Sequence, residues 1–190
     1  MFVTACFLMI SPFLLGIRNL DAQQTAKVLE TYVAIMGIIM LPPLFLPEQN
    51  KDVRDLIYSK YVNIKTIYGL RCLENIVVLS LFLAGYMALL KNGNCTFDTG
   101  TYFAGTFAEM LAFGGIGIFF YSITDNVVIG YMVPAMYYIA AWGAGQKYMG
   151  VFYPFSMMGG NENGKWYLLA AGMILGFLGI WYKGIKQNRG

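Results

Sequence analysis

Residues 75–90 read Asn-Ile-Val-Val-Leu-Ser-Leu-Phe-Leu-Ala-Gly-Tyr-Met-Ala-Leu-Leu, without one charged side chain. A soluble protein would have to bury such a stretch on every face. In a bilayer lipid solvates it, provided that the backbone amides are satisfied within the segment, which a helix does. At a rise of about 1.5 Å per residue the run nearly crosses a hydrocarbon layer of about 30 Å. Arg71 and Glu74 precede it and Lys91 follows it, so charge marks both ends.

Working outward, five more runs have this character: Met1 to Ile17, Thr31 to Pro47, Thr101 to Thr124, Val127 to Gly145 and Trp166 to Tyr182. The first and last are short for a full crossing, so flanking residues or local thinning of the bilayer must complete them. Met1 to Ile17 has no basic leader and no small-x-small cleavage site, and reads as a retained helix rather than a signal peptide. The Pro42-Pro43 pair and Pro134 are expected to kink their helices. With 58% hydrophobic and 12% charged residues and no internal repeat, the 190 residues read as one domain, 1–190, an all-α integral membrane protein with six transmembrane helices.

The basic residues orient these spans. The loop after the second span and the C-terminal tail hold eight of them, including Lys51, Arg54, Lys60, Lys183 and Lys186, against five in the alternate connections. The positive-inside rule then places both termini in the cytoplasm. A net charge of +3 is too small to suggest nucleic acid. Histidine is absent, which removes histidine-based acid–base catalysis and histidine metal sites. Cys6, Cys72 and Cys95 are far apart and form no CxxC pair, so neither a redox motif nor a metal site is expected. Nothing indicates a cofactor on this chain or an enzyme.

One segment departs from the apolar pattern. Pro47-Glu48-Gln49-Asn50-Lys51-Asp52-Val53-Arg54-Asp55-Leu56-Ile57-Tyr58-Ser59-Lys60-Tyr61 is charged, and Val53, Leu56, Ile57 and Tyr61 recur at helical spacing. Asn50 can cap the start. A short amphipathic cytoplasmic helix follows, which either lies in the lipid headgroups or docks on a soluble partner.

At these residues, Pro47-Glu48-Gln49, then Asp55-Leu56-Ile57-Tyr58-Ser59-Lys60-Tyr61, then Arg71 opening the next span, the chain resembles the membrane subunit of type-2 ABC transporters, the ABC-2 permease family. The resemblance implies a permease of a bacterial ABC exporter in the cytoplasmic membrane. It further implies a coupling helix between the second and third spans, in which Val53, Arg54, Asp55, Leu56, Ile57, Tyr58 and Lys60 dock on a separate ABC ATPase subunit, with two copies expected. ATP and Mg²⁺ would bind that partner, and a second permease copy or a related permease would complete the membrane part. The family also has an extracytoplasmic segment between the fifth and sixth spans that dips back toward the membrane. Gln146 to Gly164 is similar, being rich in Tyr, Phe and Met. Family members carry an amphipathic helix before the first span, whereas here the apolar run begins at Met1.

Other features carry less. Gly159, Gly164 and Lys165 match the start of the phosphate-binding loop G-x-x-x-x-G-K-[ST], but Trp166 stands where a hydroxyl must reach Mg²⁺ and no strand precedes it. Asn94-Cys95-Thr96 is a glycosylation sequon on the expected outer side. Glu109 is an acid well inside a span, and so is either a functional or paired interior residue or a neutral structural acid. Glu74, one turn from Arg71, suits an interfacial ion pair. Gly172 and Gly176, and Ala104, Ala108 and Ala112, form small-residue faces for helix packing or a subunit interface. Fourteen Tyr, fourteen Phe and twelve Met suit a peptide-like or amphipathic substrate. Three other readings stay open: a substrate-binding subunit of an energy-coupling-factor vitamin importer, a non-transporting assembly factor, and an intramembrane enzyme using Glu109.

Overall fold

The computed structural model describes residues 19–49, 64–160 and 164–188. Five helical stretches are long and apolar enough to cross a membrane: Ala22–Pro47, Lys65–Asn92, Thr99–Thr124, Val127–Phe152 and Gly164–Lys186. No strand occurs among the described residues. The protein is therefore an all-α, multi-pass membrane protein. The expected first span, residues 1–17, and the amphipathic segment carrying Val53, Arg54, Asp55, Leu56, Ile57, Tyr58 and Lys60 lie outside the described residues.

The first described span changes its winding along its length. It begins as α1 (Ala22–Val28), passes through a π-helical turn over Leu29–Val33, resumes as α2 (Ile35–Met40) and ends as a 3₁₀ stretch over Pro42–Gln49. The Ala34 amide donates to the Leu29 carbonyl at 3.0 Å, five residues back, which is the π signature. Pro42 and Pro43 have no amide hydrogen to donate, and the α pattern stops where they begin. The span starts at Ala22 rather than at Thr31. Lys27 and Glu30 seemed to end the apolar run, yet Lys27 is exposed and Glu30 is buried against a cation, so neither breaks the helix.

The other spans are α3 (Ile64–Asn92), α4 (Thr99–Thr124), α5 (Val127–Met149) and α6 (Gly164–Asn188). The Asp98 carboxylate caps α4 by accepting from the Thr101 amide at 3.3 Å. Only Asp125 and Asn126 separate α4 from α5: Asp125 takes the left-handed conformation (φ 54°), and Asn126 accepts from the Val128 amide at 2.9 Å. Pro134 stays within α5, and the departure from helical geometry falls instead at Gly145 (φ 69°, ψ 173°). The last span is not short: α6 has 25 residues, and the lysines at its two ends are neutralised by carboxylates.

Successive spans run in alternate directions. At one end the Asn19 amide donates to the Gly93 carbonyl (2.9 Å) and the Tyr102 hydroxyl to the Ala22 carbonyl (3.1 Å). At the other end Phe45 meets Tyr68 and Tyr121 edge to face, with ring centroids 4.8 and 5.4 Å apart. The first described span and α4 form the interior layer, 78% and 67% of their apolar windows being buried, against 17% for α5 and 28% each for α3 and α6. Met132, Met136 and Ile139 of α5 and Met173, Ile174 and Phe177 of α6 face outward, as lipid-facing side chains should.

Close approach holds the layers together. A Cβ on Gly37 would lie 2.7 Å from the Met110 carbonyl carbon, and one on Gly172 would lie 2.5 Å from the Leu111 carbonyl oxygen. Both neighbours are backbone, so α4 contacts the first described span and α6 at distances only glycine permits.

Candidate functional site

Three charged side chains from three spans converge inside the bundle. Glu30 comes from the π-helical turn, Glu109 from the third turn of α4 and Lys165 from the first turn of α6. Glu30 and Glu109 have no exposed surface and Lys165 is 4% exposed. Charges this deep are costly in a membrane-spanning bundle unless they pair. They do: Lys165 Nζ lies 2.5 Å from Glu30 Oε1 and 3.2 Å from Glu109 Oε2.

The two carboxylates are held differently. Glu30 also accepts from the backbone amides of Met157 (2.8 Å, on Oε1) and Met158 (3.0 Å, on Oε2). Both of its oxygens are therefore engaged. Glu109 Oε1 is buried and has no hydrogen-bond partner among the described residues. Lys165 has three N–H donors, and they serve Glu30, Glu109 and the carbonyl of Pro154. The ammonium is saturated.

Local sequence explains the convergence. Gly145 breaks the helical geometry near the end of α5 and Gly150 (φ 54°) turns the chain after it; short 3₁₀ turns cover Gly150–Phe152 and Met157–Gly159, and Pro154, Phe155, Ser156 and Met157 are buried. Phe155 packs on Tyr138 and Trp142 of α5 at 5.3 and 5.6 Å. The 154–158 segment is thus fixed by aromatic packing on one side and by Glu30 and Lys165 on the other. Alongside lies a cavity of about 280 Å³ bordered by Thr101, Ala104, Gly105, Ala108, Met157 and Lys165.

At the opposite end Asp125 forms a smaller ionic contact. Lys183 hydrogen-bonds to it, and Lys186 Nζ lies 2.5 Å from Oδ2. Partial burial alone would raise the Asp125 carboxyl, but the hydrogen bonds from Lys183 and Lys186 outweigh it and hold the group below the usual aspartate range. Lys65 Nζ sits 4.5 Å from the ring centre of Trp181, joining α3 to α6 at this end.

Of the residues singled out from sequence, Glu109 is buried and paired with Lys165. Gly172 lies against the α4 backbone, and a Cβ on Gly176 would find its nearest neighbour at 3.8 Å. Ala104 and Ala108 border the cavity, and Ala112 touches Gly172. Lys165 fitted the phosphate-loop pattern, yet its ammonium is consumed within the protein. Sequence reading missed Glu30 and the role of Lys165. A signal existed: an acid and a base at the ends of two spans, beside an unpartnered acid inside a third. Among the described residues no group of three potential metal ligands converges. No protein-family model matches the chain, and comparisons with curated proteins and with solved structures return no significant match.

Proposed function

We propose that this protein is the membrane-spanning permease subunit of an ABC exporter, driven by ATP hydrolysed on a separate ATPase subunit and moving a peptide-like or amphipathic substrate. The single observation that carries the reading is where the described residues on either side of the 50–63 stretch come together. Phe45 and Tyr68, on either side of it, meet at the end of the bundle that also holds Lys65, Lys183 and Lys186. By the positive-inside rule this basic end is read as the cytoplasmic side, and the sequence pattern of Asn50 to Tyr61 is read as the docking segment. A sixth span at 1–17 would bring the N-terminus to the same side. At the other end, the buried 154–158 segment suits the re-entrant element of the type-2 permease family.

The mechanism is mechanical coupling. Nucleotide binding brings two ATPase subunits together, the docked segments move with them, and a path between two permeases switches between two accessibilities. The α5 and α6 surfaces, apolar and little buried within one chain, are suited to lipid or a second permease.

The test is purification of the tagged chain from its native membranes. The wild type is expected to bring down an ABC ATPase, and Leu56→Asp or charge reversal at Arg54 or Asp55 should abolish that association while the chain still inserts. Undiminished recovery of the ATPase with all three variants would reject the docking role. Failure of the wild type to capture any ATP-hydrolysing subunit would reject the transporter reading.

A further inference from the structure

We infer that Glu30, Glu109 and Lys165 form a proton-binding site in which Glu109 carries the proton on Oε1. The inference goes beyond the transporter reading and does not depend on it.

Two carboxylates and one ammonium, all ionised, would leave one uncompensated negative charge among three residues that are at most 4% exposed. Lys165 is the only cation acting on either carboxylate among the described residues. The other titratable groups nearby are tyrosines, which supply no positive charge. Tyr137 and Tyr138 of α5 donate to the Phe152 and Thr31 carbonyls, and Tyr153 belongs to the segment after α5. One bound proton makes the cluster neutral.

Hydrogen-bond geometry decides which carboxyl holds it. Glu30 accepts from two backbone amides and the Lys165 ammonium, and each of these bonds favours the anion. A proton on Glu30 would weaken three such bonds, two on Oε1 and one on Oε2. Among the described residues Glu109 accepts one bond, on Oε2, and nothing donates to its other oxygen. Two acids in unlike surroundings thus divide the roles, one staying ionised and the other neutral. The step is a plain dissociation: the O–H bond at Glu109 Oε1 breaks, its electron pair stays on oxygen, and the proton leaves.

A cavity lies beside the site, bordered by Lys165 and not by Glu109. Ala104, Gly105 and Ala108, within two turns of Glu109 on α4, border the cavity that extends to Thr101 near the end of the helix. Met157 closes part of it. Loss of the proton would make Glu109 a second full charge competing for Lys165, which also holds the Pro154 carbonyl. Proton occupancy is thereby linked to the docking of the 154–158 segment.

The experiment is difference infrared spectroscopy of the full chain in lipid nanodiscs, at neutral pH in sodium-free buffer, in H₂O and in D₂O. The wild type should show the carbonyl band of a protonated carboxylic acid, shifting in D₂O, and Glu109→Gln should remove it. Glu30→Gln should also remove it, because Lys165 then has a single acid to pair with and Glu109 ionises. A purely structural neutral acid would keep its band in Glu30→Gln. Absence of the band from the wild type, its persistence in Glu109→Gln, or its full retention in Glu30→Gln would overturn the inference. If the variants fail to fold, the wild type decides: a protonated-acid band that shifts in D₂O supports the proton site, and its absence overturns it.

Discussion

Gly172 and Gly176 share one sequence motif but should respond very differently to a single added methyl group. A Cβ at Gly172 would stand 2.5 Å from the Leu111 carbonyl oxygen and 2.6 Å from both the amide nitrogen and Cα of Ala112. All three are backbone atoms of α4, so no side chain can yield, and the helices must move apart by about 1 Å to restore contact distances of about 3.5–4.0 Å. Gly115 faces the same contact from α4, where an added Cβ would lie 2.9 Å from the Gly172 carbonyl carbon. Separation therefore loosens the seam on both sides. Overpacking of this kind costs about 1–3 kcal/mol, and the gain in helix propensity of about 1 kcal/mol recovers only part of it. At Gly176 the nearest atom to an added Cβ is 3.8 Å away, an ordinary contact, so the propensity gain is unopposed. Gly172→Ala should lower the temperature at which the detergent-solubilised protein loses its monodisperse elution profile, while Gly176→Ala leaves it unchanged or raises it. Equal stability of Gly172→Ala and wild type, or equal losses in both variants, would refute the close-packed α4–α6 seam.

Three further outcomes follow from the same coordinates. Gly145 holds φ 69° and ψ 173°, a region essentially confined to glycine, so Gly145→Ala should destabilise by about 1–3 kcal/mol in thermal unfolding, whereas Gly143→Ala, where an added Cβ meets nothing within 4 Å, should not. Lys165→Met leaves two buried carboxyls without their cation and should cost about 3–5 kcal/mol, read as a loss of folded protein, with Lys165→Arg retaining more than Lys165→Met. Asp125 is held below the ordinary aspartate range in the folded protein, so its contribution is complete above about pH 5 and is lost as the pH falls through and below about 4. Asp125→Asn should remove that part of the acid limb of the stability–pH curve.

The fold was legible where apolar runs are long and uninterrupted. Residues 75–90 and 101–124 lie within α3 and α4, because an apolar run of near-spanning length needs no tertiary information. Charge misled the boundaries. Lys27 and Glu30 made the first described span look as if it began at Thr31, and Lys165 looked like a loop residue, since each charge was weighed against water rather than against a partner distant in sequence. The ion pairs that bring Glu30, Glu109 and Lys165 together join positions 56 residues or more apart, which no local pattern encodes. Glu109 was visible as an expensive acid in a span; what pairs with it was not. Pro134 remains inside α5, and the non-helical backbone within that element falls at Gly145, which the sequence did not single out. The small-residue faces were legible as faces, but their neighbours came only from the fold, with Ala104 and Ala108 bordering a cavity and Gly172 meeting a backbone.

The most direct measurement of the transporter reading is a photocrosslinking residue introduced in place of Leu56 and irradiated in native membranes. Docking predicts one dominant adduct, to an ABC ATPase subunit, with a yield that changes when ATP is supplied or withheld. Adducts to lipid alone, with no protein partner under either condition, would place this segment in the headgroups and contradict its role as the attachment point of an external motor.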